Sequence, residues 1–175
     1  LTTGSENDSA ELAITDVIGV AGNPLQVLVS KLGTLHLDDT RSSNGRTFTA
    51  LQDRLDTDLA EVQLGEVRSV VMNLGSGDDT FQAQALSVLN SLEINGNGGV
   101  DHFDMSAFSG GSGLAVKVAG GEHDDQLMVD GRGTPLWMAN GVVHAGDLHI
   151  DHGDVEKVVL QNAVQGLPSD QVQQL

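Results

Sequence analysis

Apolar and polar residues alternate along this chain in short segments, and the alternation repeats in a fixed frame around three aspartates. Val70 and Met72 precede Asp79 by nine and seven residues, and Phe81 follows it by two. The corresponding residues around Asp101 and Asp125 are Leu92, Ile94 and Phe103, then Val116, Val118 and Leu127. Such alternation is typical of half-buried β-strands. Each unit is therefore predicted to contain two strands joined by a glycine-rich turn that ends in Asp.

The spacing of the units predicts how they pack. Asp79, Asp101 and Asp125 lie 22 and 24 residues apart. Repeats of about 20 to 25 residues are typical of solenoids, in which each coil buries its apolar face against its neighbours. The pattern therefore predicts an all-β fold, a parallel β-solenoid with coils of about 22–24 residues and Gly/Asp turns.

A longer repeat indicates duplication. The segment at 62–72, VQLGEVRSVVM, aligns with IDHGDVEKVVL at 150–160, and VLVSKLGTLHLDD at 27–39 resembles a shortened copy of residues 116–131. We therefore expect a solenoid over 21–165, built from a duplicated unit (about 27–73 and 116–161). Polar residues predict a mobile N-terminal segment or cap at 1–20, and a Pro- and Gln-containing tail is expected at 166–175.

Charge and composition exclude several classes of binding partner and site. The chain has 175 residues, of which 25 are acidic and 8 basic, so its net charge of −17 would repel nucleic acids and anionic membranes. There is no cysteine, which excludes disulfides and thiolate metal sites. No apolar run is long enough to span a membrane. Because the acids are mostly Asp and the chain has 22 Gly, turns and hard cations are favoured over helices.

Three nonapeptides resemble the repeats-in-toxin family, whose motif is GGxGxDxUx with U a large apolar residue. They are LGSGDDTFQ at 74–82, GNGGVDHFD at 96–104 and GGEHDDQLM at 120–128. The resemblance covers about residues 66–130. Because 13 to 15 other residues separate the motifs, the spacing is more similar to the degenerate repeats of large bacterial surface proteins and adhesins. The resemblance implies calcium in the turns and a place outside the cell or at its surface.

The chemistry of the turns agrees with that implication. Ca²⁺ takes six to eight oxygen ligands, and stacked acidic turns would repel one another without a cation. Asp79, Asp101 and Asp125 are therefore predicted calcium ligands. Asp78 and Asp124 are either second ligands or solvated side chains. The alternative is that all five belong to ordinary hairpin turns with solvated carboxylates.

Other clusters favour no catalytic role. His144, His149 and His152 alternate with acids, but strand geometry places His149 and His152 on opposite faces, so a shared metal is not expected. The chain lacks a nucleophile elbow and the aromatic and basic groove of solenoid glycosidases. Trp137 is either an anchor for a ligand or a packing residue. We therefore do not expect an enzyme.

Two functions remain at this stage. The first is a calcium-stiffened structural or adhesive module of a bacterial surface, matrix or fibre protein, which associates end to end or with neighbouring domains of the same polypeptide. The second is the calcium-binding repeat domain of a secreted lipase, protease or polysaccharide-modifying enzyme. Both place the chain outside the cell.

Overall fold

The computed structural model describes residues 8–13, 24–86, 88–110 and 113–162, and it is all-β. Eighteen strands are formed within these residues. In chain order they are β1 Ser9–Ala13, β2 Leu25–Val29, β3 Leu32–Asp38, β4 Thr47–Ala50, β5 Arg54–Thr57, β6 Ala60–Leu64, β7 Val67–Asn73, β8 Thr80–Ala83, β9 Ala85–Leu86, β10 Ser91–Gly98, β11 His102–Met105, β12 Ser109–Gly110, β13 Ala115–Glu122, β14 Gln126–Asp130, β15 Leu136–Ala139, β16 Val142–Ala145, β17 Leu148–Gly153 and β18 Lys157–Gln161.

The strands form two large sheets and one small one. The first sheet has the order β1-β3-β7-β10-β13-β17-β16-β15, and the second has the order β18-β14-β11-β8-β4-β5-β6-β2. A short third sheet pairs β9 with β12. Successive strands of the chain alternate between the sheets: β7, β10 and β13 lie in the first, whereas β8, β11 and β14 lie in the second. One repeat of 22 to 24 residues thus returns the chain to the same sheet, one strand further along.

The predicted register is confirmed in the central units, which we define as residues 67–86, 91–110 and 115–130. In the first sheet Val70, Leu92 and Val116 are parallel neighbours, and Met72, Ile94 and Val118 form the next buried row. In the second sheet Phe81, Phe103 and Leu127 form a row. All nine side chains are buried. Both alternating segments of each repeat therefore line the core between the two large sheets.

The buried row of Phe81, Phe103 and Leu127 extends beyond the predicted repeats. Phe48 precedes Phe81 in the row, and Val158 follows Leu127. Phe48, Phe81 and Phe103 are among the largest fully buried side chains of the described residues. Burying an aromatic side chain contributes about 1.5–3 kcal/mol through the hydrophobic effect, so this row is a main source of stability.

The sheets are mixed, whereas the sequence predicted parallel strands throughout. Antiparallel pairs occur at β4-β5-β6 and at β15-β16-β17. Asn140 and Gly141 join β15 to β16 with φ values of 51° and 77°. Two central residues with positive φ are characteristic of a type I′ hairpin turn, for which Asn-Gly is the preferred pair. The chain reverses at this turn and at the other antiparallel connections, and these reversals add strands beyond the central repeats.

The strand register does not follow the 88-residue duplication. Ile150 lies in the same row of the first sheet as Val116 and Val70, whereas Val158 lies in the second sheet beside Leu127. The duplication, with its limits at 27–73 and 116–161, stays a prediction about the sequence.

The predicted terminal regions fall largely outside the described residues. Of the segment 1–20 the structure describes 8–13, which contain β1, paired with β3 at the edge of the first sheet. The tail at 166–175 lies wholly outside. Among the described residues, no helix has the length and apolar character needed to cross a membrane.

A candidate site: the buried acid ladder

Acidic side chains stack in one line across the start of the second sheet. The backbone N–H of Asp79 donates to Oδ1 of Asp101 at 2.8 Å, and that of Asp101 donates to Oδ1 of Asp125 at 2.8 Å. The N–H of Asp125 donates to Oε2 of Glu156, also at 2.8 Å. We call Asp79, Asp101, Asp125 and Glu156 the acid ladder. It ties each repeat to the next through one hydrogen bond from a backbone N–H to a carboxyl oxygen.

Local sequence explains how the ladder residues are positioned. Asp79, Asp101 and Asp125 immediately precede β8, β11 and β14, and the buried apolar residue of each strand follows two positions later. Side chains two residues apart in a strand point the same way, so the carboxyl group and the apolar side chain both face the interior. The three aspartates are 1%, 0% and 1% exposed. Their carboxylates are therefore part of the core and not of the solvated turns.

Sequence reasoning missed Glu156, the last member of the ladder, and Arg46, which contacts its first member. Arg46 occupies the position two residues before Phe48, and its N–H donates to Oδ1 of Asp79 at 2.7 Å. Its guanidinium pairs with Asp39 at 2.8 Å and with Asp58 at 2.9 Å. Glu156 stands two residues before Val158 in the same frame. The shared signal is a polar residue two positions before each member of the buried row.

The second carboxyl oxygen, Oδ2, has different surroundings in the three aspartates. Oδ2 of Asp79 accepts from the N–H of Gly75 at 3.0 Å. Oδ2 of Asp101 and Oδ2 of Asp125 are buried and have no hydrogen-bond donor. Each lies instead against a glycine, Gly96 for Asp101 and Gly120 for Asp125, where a Cβ would overlap it.

Burial is the main cause of the raised pKa values of the three ladder aspartates. It raises the pKa of Asp101 to about 7, and the carboxylates of Asp79, Asp125 and Asp78 add to the rise while the bond from Asp79 N–H opposes it. Burial also raises the pKa of Asp125, with a further contribution from Glu156. The pKa of Asp79 is raised by burial as well, although the bonds from Arg46 and Gly75 oppose the shift.

The five predicted calcium ligands do not converge. Asp79, Asp101 and Asp125 lie inside, whereas Asp78 and Asp124 are exposed on the turns. Oδ1 of Asp78 accepts from the N–H of Val100 at 2.8 Å, so it too joins one repeat to the next. In the part of the chain that the structure describes, no three His, Cys, Asp or Glu side chains are grouped to hold a metal ion.

Calcium takes six to eight oxygen ligands, and its binding at these residues stays a prediction. Oδ1 of Asp101 and Oδ1 of Asp125 each accept a backbone N–H of the preceding repeat. Their Oδ2 atoms meet glycine backbone and one carbonyl oxygen each. The ladder therefore uses its carboxylates as acceptors for the neighbouring repeat.

A second polar group lies on the outer face of the first sheet. Trp137 stacks on His144 with ring centroids 4.9 Å apart, and the His144 ring meets His149 edge to face at 4.7 Å. Burial lowers the pKa of His144, as does the neighbouring His149. His152 lies apart from this group, with its Nε2 3.3 Å from the sulfur of Met138. The group thus holds Trp137 by stacking and brings only two of the three histidines together.

Comparison of the chain with protein-family models, with curated proteins and with solved structures finds no match.

Proposed function

We propose that this chain is a structural module, a β-solenoid segment of an extracellular surface, matrix or fibre protein. The observation that carries the proposal is the in-register stacking of consecutive repeats in two sheets at once. Val70, Leu92 and Val116 continue one buried row in the first sheet, while Phe81, Phe103 and Leu127 continue another in the second. Repeats that contact only their neighbours form elongated bodies, which supply reach and rigidity.

Hydrogen bonds along the stacking direction support a mechanical role. The acid ladder joins four successive positions by bonds of 2.8 Å that run in addition to the sheet hydrogen bonds. On the surface, Asn95 donates to Asn73 at 2.9 Å and Ser91 donates to Ser69 at 2.8 Å, so outer rows are also linked. Separating two repeats would break all of these bonds together.

The sheet edges suit head-to-tail association with a second copy. In the second sheet the two edge strands, β2 and β18, run in the same direction, because every pair between them is parallel except two successive reversals at β5. In the first sheet β1 and β15 also share a direction. A second copy placed beside these edges, along the direction in which the repeats stack, would thus continue both sheets with parallel strand pairs.

Apolar side chains at the two ends agree with that arrangement. Leu25 begins one interior row of the second sheet and is 46% exposed. At the other end Val158 and Leu160 are only half-buried, although they continue rows that are fully buried elsewhere. A second copy would cover these ends, and such a contact between unlike surfaces does not close on itself, so it builds a filament.

Electron microscopy and light scattering of the isolated chain test this proposal. We expect elongated particles whose mass rises with concentration. Leu25→Asp, which places a charge in the joint, should abolish the mass increase, whereas Val88→Asp, at a residue also exposed but away from both ends, should not. Compact monomers at every concentration would remove the association, and a globular outline of the single particle would contradict the elongated module itself.

A further inference from the structure

The buried ladder contains two oxygen atoms whose surroundings cannot suit an ionised carboxylate. A Cβ at Gly96 would overlap both Oδ2 of Asp101 and the carbonyl oxygen of Gly120. A Cβ at Gly120 would likewise overlap both Oδ2 of Asp125 and the carbonyl oxygen of Asp154. In both cases two hydrogen-bond acceptors lie close to one point, and the carboxyl oxygen has no hydrogen-bond donor. A buried acceptor left unpaired is costly, and an unpaired buried charge more so.

We propose that Asp101 and Asp125 are neutral carboxylic acids in the folded protein and that each donates its Oδ2 proton to a backbone carbonyl of the next repeat, Gly120 for Asp101 and Asp154 for Asp125. A proton on Oδ2 supplies the missing donor and removes the buried charge. The remaining oxygen, Oδ1, keeps its acceptor role toward the preceding repeat. Each acid thereby links three successive positions in the stack.

Asp79 provides the contrast within the same ladder. Both of its oxygens accept backbone N–H groups, from Arg46 at 2.7 Å and from Gly75 at 3.0 Å. Burial and the carboxylate of Asp39 raise its pKa, and these two bonds and the guanidinium of Arg46 oppose the rise. This environment favours an ionised carboxylate, so the ladder consists of an anionic end at Asp79 followed by two neutral acids.

The charged groups around the two acids favour the neutral form. Asp78, Asp79 and Asp125 raise the pKa of Asp101. Around Asp125, Glu156 and Asp124 raise the pKa, and only His123 opposes them. An ionised pair at 101 and 125 would add two negative charges to this group, which like-charge repulsion disfavours in a dry interior.

The inference replaces the calcium expected at these residues. Stacked acidic turns can avoid repulsion by binding a cation or by holding protons, and the occupied Oδ1 atoms and crowded Oδ2 atoms favour protons. In this arrangement the interior of the stack needs no metal ion to be electrically balanced.

Matched Asp→Asn variants test the proposal. At position 101 an amide reproduces the neutral acid, since Oδ1 still accepts from Asp79 and Nδ2 donates to the Gly120 carbonyl. Asp101→Asn should therefore change the Tm at pH 6 by no more than about 3 °C, whereas Asp79→Asn, whose NH₂ would face an N–H donor, should lower it by more than about 5 °C. Equal losses in the two variants would overturn the proposal.

Two further measurements compare the wild-type protein with a double variant. Infrared spectra of the wild-type protein at pH 6 should contain the C=O band of a protonated carboxyl group, and Asp101→Asn/Asp125→Asn should remove it. Calcium in place of chelator should shift the Tm of wild type and of this double variant equally. Absence of the band, or a calcium-dependent Tm shift that only wild type shows, would assign the carboxyls to the ionised, cation-binding state.

Discussion

At the scale of single residues, two positions in each repeat perform different tasks. The aspartate accepts a hydrogen bond from the preceding repeat, and the apolar residue two positions later fills the core. Phe103 shows the second task clearly, because it lies between Phe81 and Leu127 and is 1% exposed. Since neighbours pack on both sides of the ring, the site has little freedom to collapse when the ring is removed.

Phe103→Ala is expected to lower the free energy of unfolding by about 3–5 kcal/mol, the range for emptying a buried aromatic site. Urea denaturation followed by circular dichroism measures the loss. Val100→Ala, at a residue that is 38% exposed in the same turn, should cost less than about 1 kcal/mol and serves as the control. Similar small losses in both variants would show that the ring does not contribute to a packed row.

The titration of Asp101 predicts a pH dependence of stability. Its pKa is about 7 in the folded protein and 3.8 as the ordinary value, so between about pH 4 and 7 the unfolded chain releases a proton that the folded chain keeps. The free energy of unfolding therefore falls as the pH rises through this window. Below it Asp101 is protonated in both the folded and the unfolded state, and its contribution to stability is fully present.

We expect the Tm of the wild type to fall between pH 5 and 7.5, and the fall to be smaller in Asp101→Asn. A residual slope is expected because burial also raises the pKa values of Asp79 and Asp125, and the lowered pKa values of His144 and His152 partly oppose it. Below about pH 4 the lowered pKa values of Asp38 and Asp130 act in the opposite direction. A Tm that rises from pH 5 to 7.5 would contradict the sign of this prediction.

At the scale of elements, glycine decides how closely the turns stack. A Cβ at Gly96, in β10, would overlap both Oδ2 of Asp101 and the carbonyl oxygen of Gly120. At Gly98, two residues further in the same strand, the nearest atoms to a Cβ are those of Ser76 at 3.8 and 3.9 Å. The first glycine is required by close approach of the next repeat, and the second is not.

Gly96→Ala should therefore destabilise the protein by about 1–3 kcal/mol or more, since backbone and a buried carboxyl must move apart. Gly98→Ala should change stability by less than about 1 kcal/mol in either direction. Paired urea titrations measure both values. If alanine is tolerated equally at the two positions, the close contact between the repeats is absent in solution.

At the scale of the whole molecule, stability is expected to be highest in the middle. The central units have a neighbour on each side in both sheets, whereas β1, β2, β15 and β18 have one neighbour each among the described strands. In stacked repeats stability is approximately a sum of unit and nearest-neighbour terms, so the ends open first.

Hydrogen exchange followed by mass spectrometry should show this gradient. Amides of β10, β11 and β13, together with the ladder amides of Asp79 and Asp101, should exchange slowest, and those of β2 and β18 fastest. Uniform protection along the chain would show that the molecule opens only as a single unit. Slow exchange confined to the ends at high protein concentration would instead indicate that a second copy covers them.

The sequence alone determined the repeat and the orientation of its side chains. A period of two within each strand requires that Val70 and Met72, or Phe81 and Ala83, face the same side, and apolar identity then places that side in the core. The spacing of Asp79, Asp101 and Asp125 likewise predicted that their turns would stack. These features depend on local backbone geometry and burial, which neighbouring residues specify.

Only the tertiary structure decided what the carboxylates do. Whether Asp101 faces a cation, water or a backbone N–H depends on how closely the next repeat approaches, and that distance is set by Gly96 and by residues 22 to 24 positions away. The contacts of Arg46 and Glu156 were also decided by the tertiary structure. Neither residue is an aspartate, so residue type alone did not place them beside Asp79 and Asp125. Sequence spacing specifies which side chains share a row, but the partner of a buried polar atom is fixed by contacts between rows.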